Sequence, residues 1–345
     1  MLLAGDIGGT NTRLGLFAAA SPRPAPVEVR TYSTGDFPTL ESMLAAFLSD
    51  AGESPASIEG AAFGVAGPVV HGRAALTNAA WEIDARAVAG SLGIPSVRLL
   101  NDLLAMAHAI PVLAAAELRT LQAGTPNPEG NVSLVAPGTG LGEALLVNNR
   151  GALVPSPSEG GHADFAARTT REVGLLAWLT ERFGRASYEH VISGPGLVNI
   201  HRFVHRSPCA CVDPDATDAA ARISHAALDR RCPGCVETLD LFVAVLGAEA
   251  GNTALRGMTT GGVFLGGGIP PKIIPALAGA TFLEAFRAKA PMEHLVAAIP
   301  VHVIVHSNPA LLGAAVAAAA RADIVRTGAG AAGFPGRHSD TLART

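Results

Sequence analysis

The sequence has 345 residues, of which 49% are hydrophobic and 16% are charged. This composition excludes a disordered chain, which is rich in charge and poor in apolar residues. At roughly 150 residues per domain, the length predicts two domains. The net charge of −4 argues against a protein devoted to binding the nucleic-acid backbone, which shows a basic excess. We therefore expect no nucleic-acid partner, whereas a small phosphorylated ligand is compatible with this charge.

The longest apolar runs are too interrupted to cross a membrane. Residues 310–320 are followed by an arginine, and residues 257–271 contain three consecutive glycines, whereas a spanning helix needs about 20 apolar residues. The first six residues include no basic segment followed by a long apolar one, so they do not resemble a secretory signal. We expect a cytoplasmic protein with no membrane partner.

The chain opens with a predicted β-hairpin. The turn Gly5-Asp6-Ile7-Gly8-Gly9-Thr10 lies between apolar runs at residues 2–5 and 13–17, as expected of two strands joined by a glycine-rich turn. Glycines let a ligand approach the backbone, and their N–H groups can bind an anion. A carboxylate would repel a bare phosphate, so Asp6 predicts a bridging cation, most simply Mg²⁺. The alternative is an ordinary hairpin turn.

Strands and helices then alternate, which predicts an α/β domain. We predict a helix over residues 40–49 and buried strands over residues 61–65 and 97–100. The last strand leads into Asn101-Asp102, at the kind of strand end where open α/β sheets bind ligands. A carboxylate beside an amide can bind hydroxyl groups and accept a proton from one. Either residue can also cap the helix that follows, and the two roles are compatible.

The opening pattern recurs near residue 131. A predicted strand over residues 131–136, the turn Gly138-Thr139-Gly140 and a returning strand over residues 141–147 repeat it. We interpret this as an internal repeat that marks a second domain. The sequence contains no P-loop motif and no GxGxxG fingerprint between a strand and a helix, which disfavours both of those nucleotide-binding folds.

The second half is predicted to be more helical and contains two further polar or glycine-rich segments. Helices are predicted over residues 171–183, 236–256, 273–289 and 309–322, and strands over residues 262–265 and 301–305. The segment Ser158-Glu159-Gly160-Gly161-His162-Ala163-Asp164 suits hydrogen bonding to a polyol, with a metal site or a polar turn as alternatives. Gly266-Gly267-Gly268 either contacts a flat ligand or forms a tight turn. Residues 326–345 are predicted to be a disordered tail.

Taken in order, these motifs resemble those of the bacterial glucokinase family in the actin/hexokinase/Hsp70 superfamily. The resemblance covers the chain from Leu3 to about Ala320. The matching stretches are GDIGGTN, LND, PGTGLG, SEGGHADF, ISGPGL, GVFLGGG and NPALLG. It implies an α/β, two-domain actin-like ATPase (ribonuclease H-like) fold with an inter-domain cleft where ATP and glucose meet. It also implies a small domain of residues 1–110 and 305–325 and a large domain of residues 111–304.

The resemblance further implies transfer of the γ-phosphoryl group of ATP, with Mg²⁺, to the 6-hydroxyl of D-glucose by a homodimer. Asp102 resembles the catalytic base of the family. The sugar ligands would be Asn101, Asp102, Glu159, His162 and Glu189, with the backbone at Gly140. The phosphates would bind to Gly5, Asp6, Ile7, Gly8, Gly9, Thr10, Gly138 and Thr139, and the adenosine to Gly266, Gly267 and Gly268. Glu189 is identified only through the resemblance.

Two rival functions remain open at this point. A kinase of mannose, fructose or an amino sugar would have the same fold, and polyphosphate or ADP would be an alternative donor. A non-catalytic sugar-sensing regulator is disfavoured, because Asp6 follows Met1 so closely that we expect no preceding DNA-binding helix-turn-helix.

The four cysteines are too few for a disulfide scaffold, yet they form two close pairs. Cys209 and Cys211 have C-x-C spacing, and Cys232 and Cys235 have C-x-x-C spacing. These pairs are compatible with a Cys₄ zinc site, with buried thiols or with an oxidation-sensitive pair. A related branch of the family has a cysteine-rich zinc motif after a histidine, and no such motif occurs near His162. We therefore assign no metal ligand from the sequence.

Overall fold

The computed structural model describes residues 1–76, 81–205, 207 and 209–327, with side chains up to residue 320. In chain order its strands are β1 (Leu2–Ile7), β2 (Asn11–Ala18), β3 (Ala25–Ser33), β4 (Gly60–Val65), β5 (Val69–Val70), β6 (Arg73–Ala75), β7 (Glu82–Asp84), β8 (Val97–Asn101), β9 (Leu118–Gln122), β10 (Val132–Pro137), β11 (Leu141–Asn149), β12 (Ala152–Ser158), β13 (Gly262–Leu265) and β14 (Val301–Ile304). Its helices are α1 (Leu40–Asp50), α2 (Ala85–Leu92), α3 (Asp102–Ala109), α4 (Thr170–Phe183), α5 (Gly194–Val204), α6 (Ala219–Leu228), α7 (Pro233–Gly257), α8 (Ile274–Leu277), α9 (Ala280–Arg287), α10 (Glu293–Ala298) and α11 (Pro309–Thr327).

The chain divides into two compact units. Within the described residues, the first comprises Met1–Leu100 with residues 314–327, and the second comprises Asn101–Gly313. Compared with the predicted domains, residues 101–110 and 305–313 belong to the second unit. All of the predicted sugar ligands, from Asn101 to Glu189, therefore lie in one unit.

The first unit is built on a five-stranded sheet with the order β3-β2-β1-β4-β8. Strand β1 pairs antiparallel with β2 and parallel with β4, so the predicted opening hairpin is confirmed. Helix α1 starts at a capping box, in which the Thr39 hydroxyl accepts a hydrogen bond from the backbone N–H of Ser42. Its buried residues Leu40, Met43 and Phe47 recur at the three-to-four-residue spacing of an amphipathic helix. They join the apolar core of this unit.

The second unit repeats this strand order. Its sheet is ordered β12-β11-β10-β13-β14-β9, with β10 antiparallel to β11 and parallel to β13. The predicted internal repeat is therefore confirmed at the level of topology. Helices α5, α6, α7 and α9 contribute to the main core of the unit, where Phe242 and Leu246 of α7 and Phe282 and Phe286 of α9 are fully buried.

Several predicted elements differ from the structure. The helix predicted over residues 273–289 is wrong as a single element, because α8 and α9 are separated at Ala278 and Gly279, and glycine is a poor residue for a helix interior. Strand β3 is not among the predicted strands, and it begins at Ala25 within the proline-rich stretch of residues 21–26. The alanine-rich helix α11 continues to Thr327, so the predicted tail starts as helix and its residues 328–345 lie outside the described part of the chain. None of the described helices has both the length and the apolar character needed to span a bilayer.

Candidate active site

Asn101 and Asp102 lie where β8 ends and α3 begins. The Asn101 Oδ1 accepts hydrogen bonds from the backbone N–H groups of Leu103, at 2.9 Å, and Leu104, at 3.4 Å. The Asp102 Oδ1 also accepts from the N–H of Leu103, at 2.8 Å. These bonds satisfy N–H groups that a helix start leaves without intrahelical partners. The capping role predicted as an alternative for this pair is therefore confirmed for Asn101.

The environment of Asp102 changes its acidity. Burial raises the pKa of this carboxyl group above its ordinary value, and the hydrogen bond from the Leu103 N–H opposes the rise. A carboxylate with a raised pKa is a stronger base at neutral pH, because its affinity for a proton is closer to that of the group it deprotonates. The burial thus favours a role in proton transfer.

Glu189 contacts the turn that begins β11. Its Oε2 accepts a hydrogen bond from the backbone N–H of Leu141, at 2.9 Å. A methyl group at Gly140 would lie 2.5 Å from the same oxygen, so the absence of a side chain there permits the contact. The Glu189 N–H also donates to the carbonyl oxygen of Gly161, at 2.8 Å. Glu189 is therefore held between the predicted Gly138–Gly140 turn and the SEGGHAD segment.

His162 lies between two carboxylates. Its Nε2 is 3.8 Å from Glu159 Oε2, and its Nδ1 is 3.9 Å from Glu189 Oε1. The Glu159 side chain is 88% exposed and that of His162 is 58% exposed, whereas that of Glu189 is 33% exposed. Two carboxylates and an imidazole therefore face accessible space together, as binding to several hydroxyl groups requires.

Asp102 is joined to this group through α3 and β11. A methyl group at Gly142 would lie 2.8 Å from the Leu103 side chain, so the residue after Asp102 packs directly on β11, two positions from Gly140. The second unit therefore contains Asp102 and the Glu159–His162–Glu189 group on packed neighbouring elements.

Asp164 does not belong to that group. Its Oδ1 forms an ion pair with Arg185 Nη2 at 2.8 Å, and Asp164 and Ser187 form an isolated β-bridge. Among the described residues, the sets of metal-ligand side chains that lie close together do not include Glu159, His162 or Asp164. The metal alternative for the SEGGHAD segment is therefore not supported.

A cavity of about 470 Å³ opens beside the second glycine–threonine turn. Gly138, Thr139 and Gly268 line it, together with Lys272 and residues of α6. The Gly194 N–H donates to the Gly138 carbonyl oxygen, at 2.8 Å, which joins the start of α5 to this turn. Small-molecule pockets in proteins are typically about 300–1,000 Å³, so the cavity is large enough for a nucleoside.

The three consecutive glycines differ in their surroundings. Gly268 lines the cavity, and a methyl group there would meet no atom within 4 Å. Gly267 has φ +80°, and a methyl group would lie 2.5 Å from the Pro137 carbonyl oxygen. At Gly266 a methyl group would lie 2.6 Å from the Met106 sulfur. Gly266 and Gly267 therefore permit close packing, and only Gly268 faces the cavity. The sequence did not predict that Lys272 and α6 line this cavity, because their positions depend on how distant elements pack.

The predicted phosphate-binding turn of the first unit has both buried and accessible parts. Gly5 and Ile7 are buried within β1, whereas Gly8 and Gly9 are half-buried and Thr10 is exposed. The Gly8 carbonyl oxygen accepts a hydrogen bond from the Thr34 hydroxyl, at 2.7 Å. The Asp6 carboxylate lies 3.6 Å from Arg13, and carboxylate oxygens are of the kind that Mg²⁺ prefers.

Solved structures of other proteins share the fold of this chain. A solved glucokinase structure from an Antarctic psychrotroph matches with a TM-score of 0.84 and 30% identity, covering 92% of this chain and 98% of that chain. The structure of a ROK family glucokinase from Streptomyces griseus in complex with glucose and AMPPNP has the same fold, with a TM-score of 0.59, 19% identity and coverage of 92% and 98%. The fold is therefore the two-domain actin-like ATPase fold of the sugar kinases, as predicted.

The sequence matches identify the family within this class. The family model described as Glucokinase matches residues 3–321. The glucokinase of Nostoc sp. strain PCC 7120 is 39% identical over 339 residues, which cover 92% of this chain and 99% of that protein. The chain belongs to the glucokinase family.

Proposed function

We propose that this protein transfers the γ-phosphoryl group of ATP to the 6-hydroxyl of D-glucose, with Asp102 as the general base. Membership of the glucokinase family makes the protein a hexose kinase, an ATP:D-glucose 6-phosphotransferase. The observation that carries the assignment of residues is the meeting of Glu159, His162 and Glu189 beside the turn at Gly140. These groups present hydrogen-bond acceptors and an imidazole to a polyol.

Asp102 orients the attacking hydroxyl and accepts its proton as the bond to phosphorus forms. Phosphoryl transfer depends mainly on positioning and on neutralisation of charge, and a positioned base contributes roughly 10²–10⁴ in rate. The raised pKa of Asp102 supports this role. The hydrogen bond from Leu103 to Oδ1 fixes the orientation of the carboxylate.

Glu159, His162, Glu189 and Asn101 bind the hydroxyl groups of the sugar. An inverted or missing hydroxyl leaves a polar group that the bound sugar covers without its partner, at a cost of about 1–3 kcal/mol. Two such losses reduce binding by roughly two orders of magnitude or more, since about 1.4 kcal/mol corresponds to a factor of ten. This cost supports selectivity for glucose over other hexoses and amino sugars.

Each unit contains a glycine-rich turn that suits part of the nucleotide. Gly138, Thr139 and Gly268 line the cavity in the second unit, where the backbone can approach the ligand closely. Asp6 would hold Mg²⁺, and Gly9 and Thr10 would donate to phosphate oxygens, whereas the Gly8 N–H already donates to the Asn11 carbonyl oxygen at 3.1 Å. When bound, Mg²⁺ neutralises the negative charge that collects on the phosphates. The homodimer and the cytoplasmic location are further predictions of the family.

A coupled assay with ATP and Mg²⁺ across glucose, mannose, fructose and N-acetylglucosamine tests the substrate. We expect glucose to give the highest kcat/KM, and a higher value for another sugar would contradict the assignment. Replacing ATP with ADP or polyphosphate tests the donor.

The variant Asp102→Asn tests the general base. We expect kcat to fall roughly 10²–10⁴-fold while glucose affinity changes little, because the amide keeps the shape of the side chain. Asp50→Asn, at an exposed carboxylate paired with Arg30, is the matched control. Turnover equal to that of the wild type would exclude Asp102 as the base.

Glu159→Gln should mainly raise the KM for glucose, and an unchanged KM would remove Glu159 from the sugar site.

A further inference from the structure

Six metal-ligand side chains lie together at the junction of α5 and α7, outside the candidate active site. His201 lies in the last turns of α5, and His205 follows the end of that helix. Cys209 and Cys211 belong to the next loop, and Cys232 and Cys235 lie at the start of α7. The sequence left open whether the two cysteine pairs bind a metal or are plain thiols. The fold brings both pairs together with two histidines.

The ligand atoms form two overlapping groups. The nitrogen and sulfur atoms of His201, His205, Cys209 and Cys235 all lie within 4.8 Å of one another, and so do the sulfurs of Cys209, Cys211 and Cys232. Cys209 Sγ is 3.7 Å from Cys232 Sγ, and His205 Nε2 is 3.4 Å from Cys232 Sγ. Cys209 belongs to both groups.

The separations of Cys232 Sγ from Cys209 Sγ and from His205 Nε2 match those around a tetrahedral zinc ion. With Zn–S bonds of about 2.3 Å and Zn–N bonds of about 2.0–2.1 Å, ideal tetrahedral angles give separations of about 3.8 Å between two sulfurs. The same angles give about 3.6 Å between nitrogen and sulfur. A disulfide would need sulfurs about 2.05 Å apart. The described cysteines are free thiols, at a spacing that suits a shared ion.

Two independent observations support a ligand at this position. The His201 ring is 2% exposed, and neither of its nitrogens has a hydrogen-bond partner in the described part of the chain, although buried polar groups normally have one. Gly234 separates Cys232 from Cys235, and a methyl group there would lie 2.5 Å from His205 Nε2. The missing side chain therefore leaves room for the imidazole beside the C-x-x-C pair.

We propose that His205, Cys209, Cys232 and Cys235 bind one structural zinc ion. Thiolate and imidazole are the ligands that Zn²⁺ prefers, and C-x-x-C is a common spacing in structural zinc sites. Cys211 is left outside the set, since its half-exposed thiol faces the Arg231 carbonyl oxygen at 3.8 Å. The His201 ring stacks on His205 with centroids 3.9 Å apart, and one of its nitrogens lies within 4.8 Å of the Cys209 and Cys235 sulfurs, so His201 belongs to the polar lining of the site and positions His205. The ion joins the loop after α5 to the start of α7.

Helix α6 lies between Cys209 and Cys232 in the chain, so the zinc ligands flank it in sequence. The same helix lines the cavity of about 470 Å³. If that cavity binds ATP as proposed above, loss of zinc should raise the KM for ATP. The metal content tests the zinc site itself, whatever the cavity binds.

The experiment measures metal in the full-length protein, purified under reducing conditions, incubated with zinc and desalted. We expect about one zinc ion per chain by elemental analysis, and a cobalt-substituted protein with the intense thiolate-to-metal absorption of a tetrahedral site. Removal of the metal with a chelator should lower the unfolding temperature, and added zinc should restore it. Less than about a tenth of an ion per chain, or a cobalt spectrum without thiolate bands, would overturn the proposal.

Variants test the ligand set. Cys232→Ser and His205→Gln should each lose most of the bound zinc, whereas Cys211→Ser and the exposed-histidine control His71→Gln should retain it. The proposed ligand set would be contradicted if Cys232→Ser retained zinc. It would also be contradicted if Cys211→Ser lost zinc while Cys235→Ser retained it. The cobalt spectrum of the wild type keeps the test decisive if a variant does not fold.

Discussion

Gly140 offers a direct test of the sugar site, because its substitution perturbs one identified contact. A methyl group at this position would lie 2.5 Å from Glu189 Oε2 and 3.4 Å from its Cδ, and real methyl carbons essentially never approach closer than 3.0 Å. The Glu189 carboxylate must therefore move in Gly140→Ala. Its hydrogen bond from the Leu141 N–H, now 2.9 Å long, is lost or distorted, and the carboxylate shifts relative to His162.

The expected loss of affinity is that of the proposed hydrogen bond between the displaced Glu189 carboxylate and a sugar hydroxyl. A hydrogen bond to a charged group contributes about 1.5–3 kcal/mol, and about 1.4 kcal/mol corresponds to a factor of ten in affinity. If Glu189 binds the sugar as proposed, Gly140→Ala should raise the KM for glucose about 10- to 100-fold. The free energy of unfolding should fall by no more than the contribution of the hydrogen bond from Leu141, about 1.5–3 kcal/mol, because the displaced atom is the end of a flexible side chain rather than backbone.

Steady-state kinetics at saturating ATP measure the KM, and thermal unfolding measures the stability of the same preparation. Gly35→Ala is the matched control, since a methyl group there meets no atom within 4 Å. The double variant Gly140→Ala/Glu189→Ala should be no worse than Glu189→Ala alone, because both changes act through one carboxylate. An unchanged KM in Gly140→Ala, or fully additive effects in the double variant, would refute the reasoning.

Two other glycines and a buried carboxyl group give further predictions. Gly267→Ala should lower the unfolding temperature, because φ is +80° and a methyl group would lie 2.5 Å from the Pro137 carbonyl oxygen. Gly268→Ala should leave the unfolding temperature unchanged and raise the KM for ATP. Equal unfolding temperatures of the two variants would contradict this expected difference. Burial raises the pKa of Glu143 from 4.5 to about 7, so the folded state keeps a proton that the unfolded chain releases. The free energy of unfolding should therefore fall by up to about 3 kcal/mol as the pH rises from about 4.5 to about 7, and denaturant titrations showing the same pH slope in Glu143→Gln would exclude this cause.

The sequence alone determined most of the local structure. Apolar runs around glycine-rich turns predicted the hairpins β1–β2 and β10–β11, because a strand that buries its residues requires such runs and a tight turn requires small residues. The spacing of Leu40, Met43 and Phe47 predicted α1, since helical geometry places these residues on one face. The sequence also identified the polar pair at the end of β8 and the carboxylates of the SEGGHAD segment as candidate site residues, because these chemical groups lie at the predicted ends of elements.

Tertiary structure alone decided which of these groups meet. Glu189 and Leu141 are 48 residues apart in the chain, and no periodicity of the sequence relates them. Lys272 reaches its cavity, and Glu143 becomes buried inside β11, through packing between elements distant in the chain. The cysteine pairs show the same limit: their spacing allowed several chemistries, and only the packing of the loop after α5 against the start of α7 brings Cys209 within 3.7 Å of Cys232. Local sequence determines which face of an element is buried, whereas the convergence of distant side chains depends on how the elements pack.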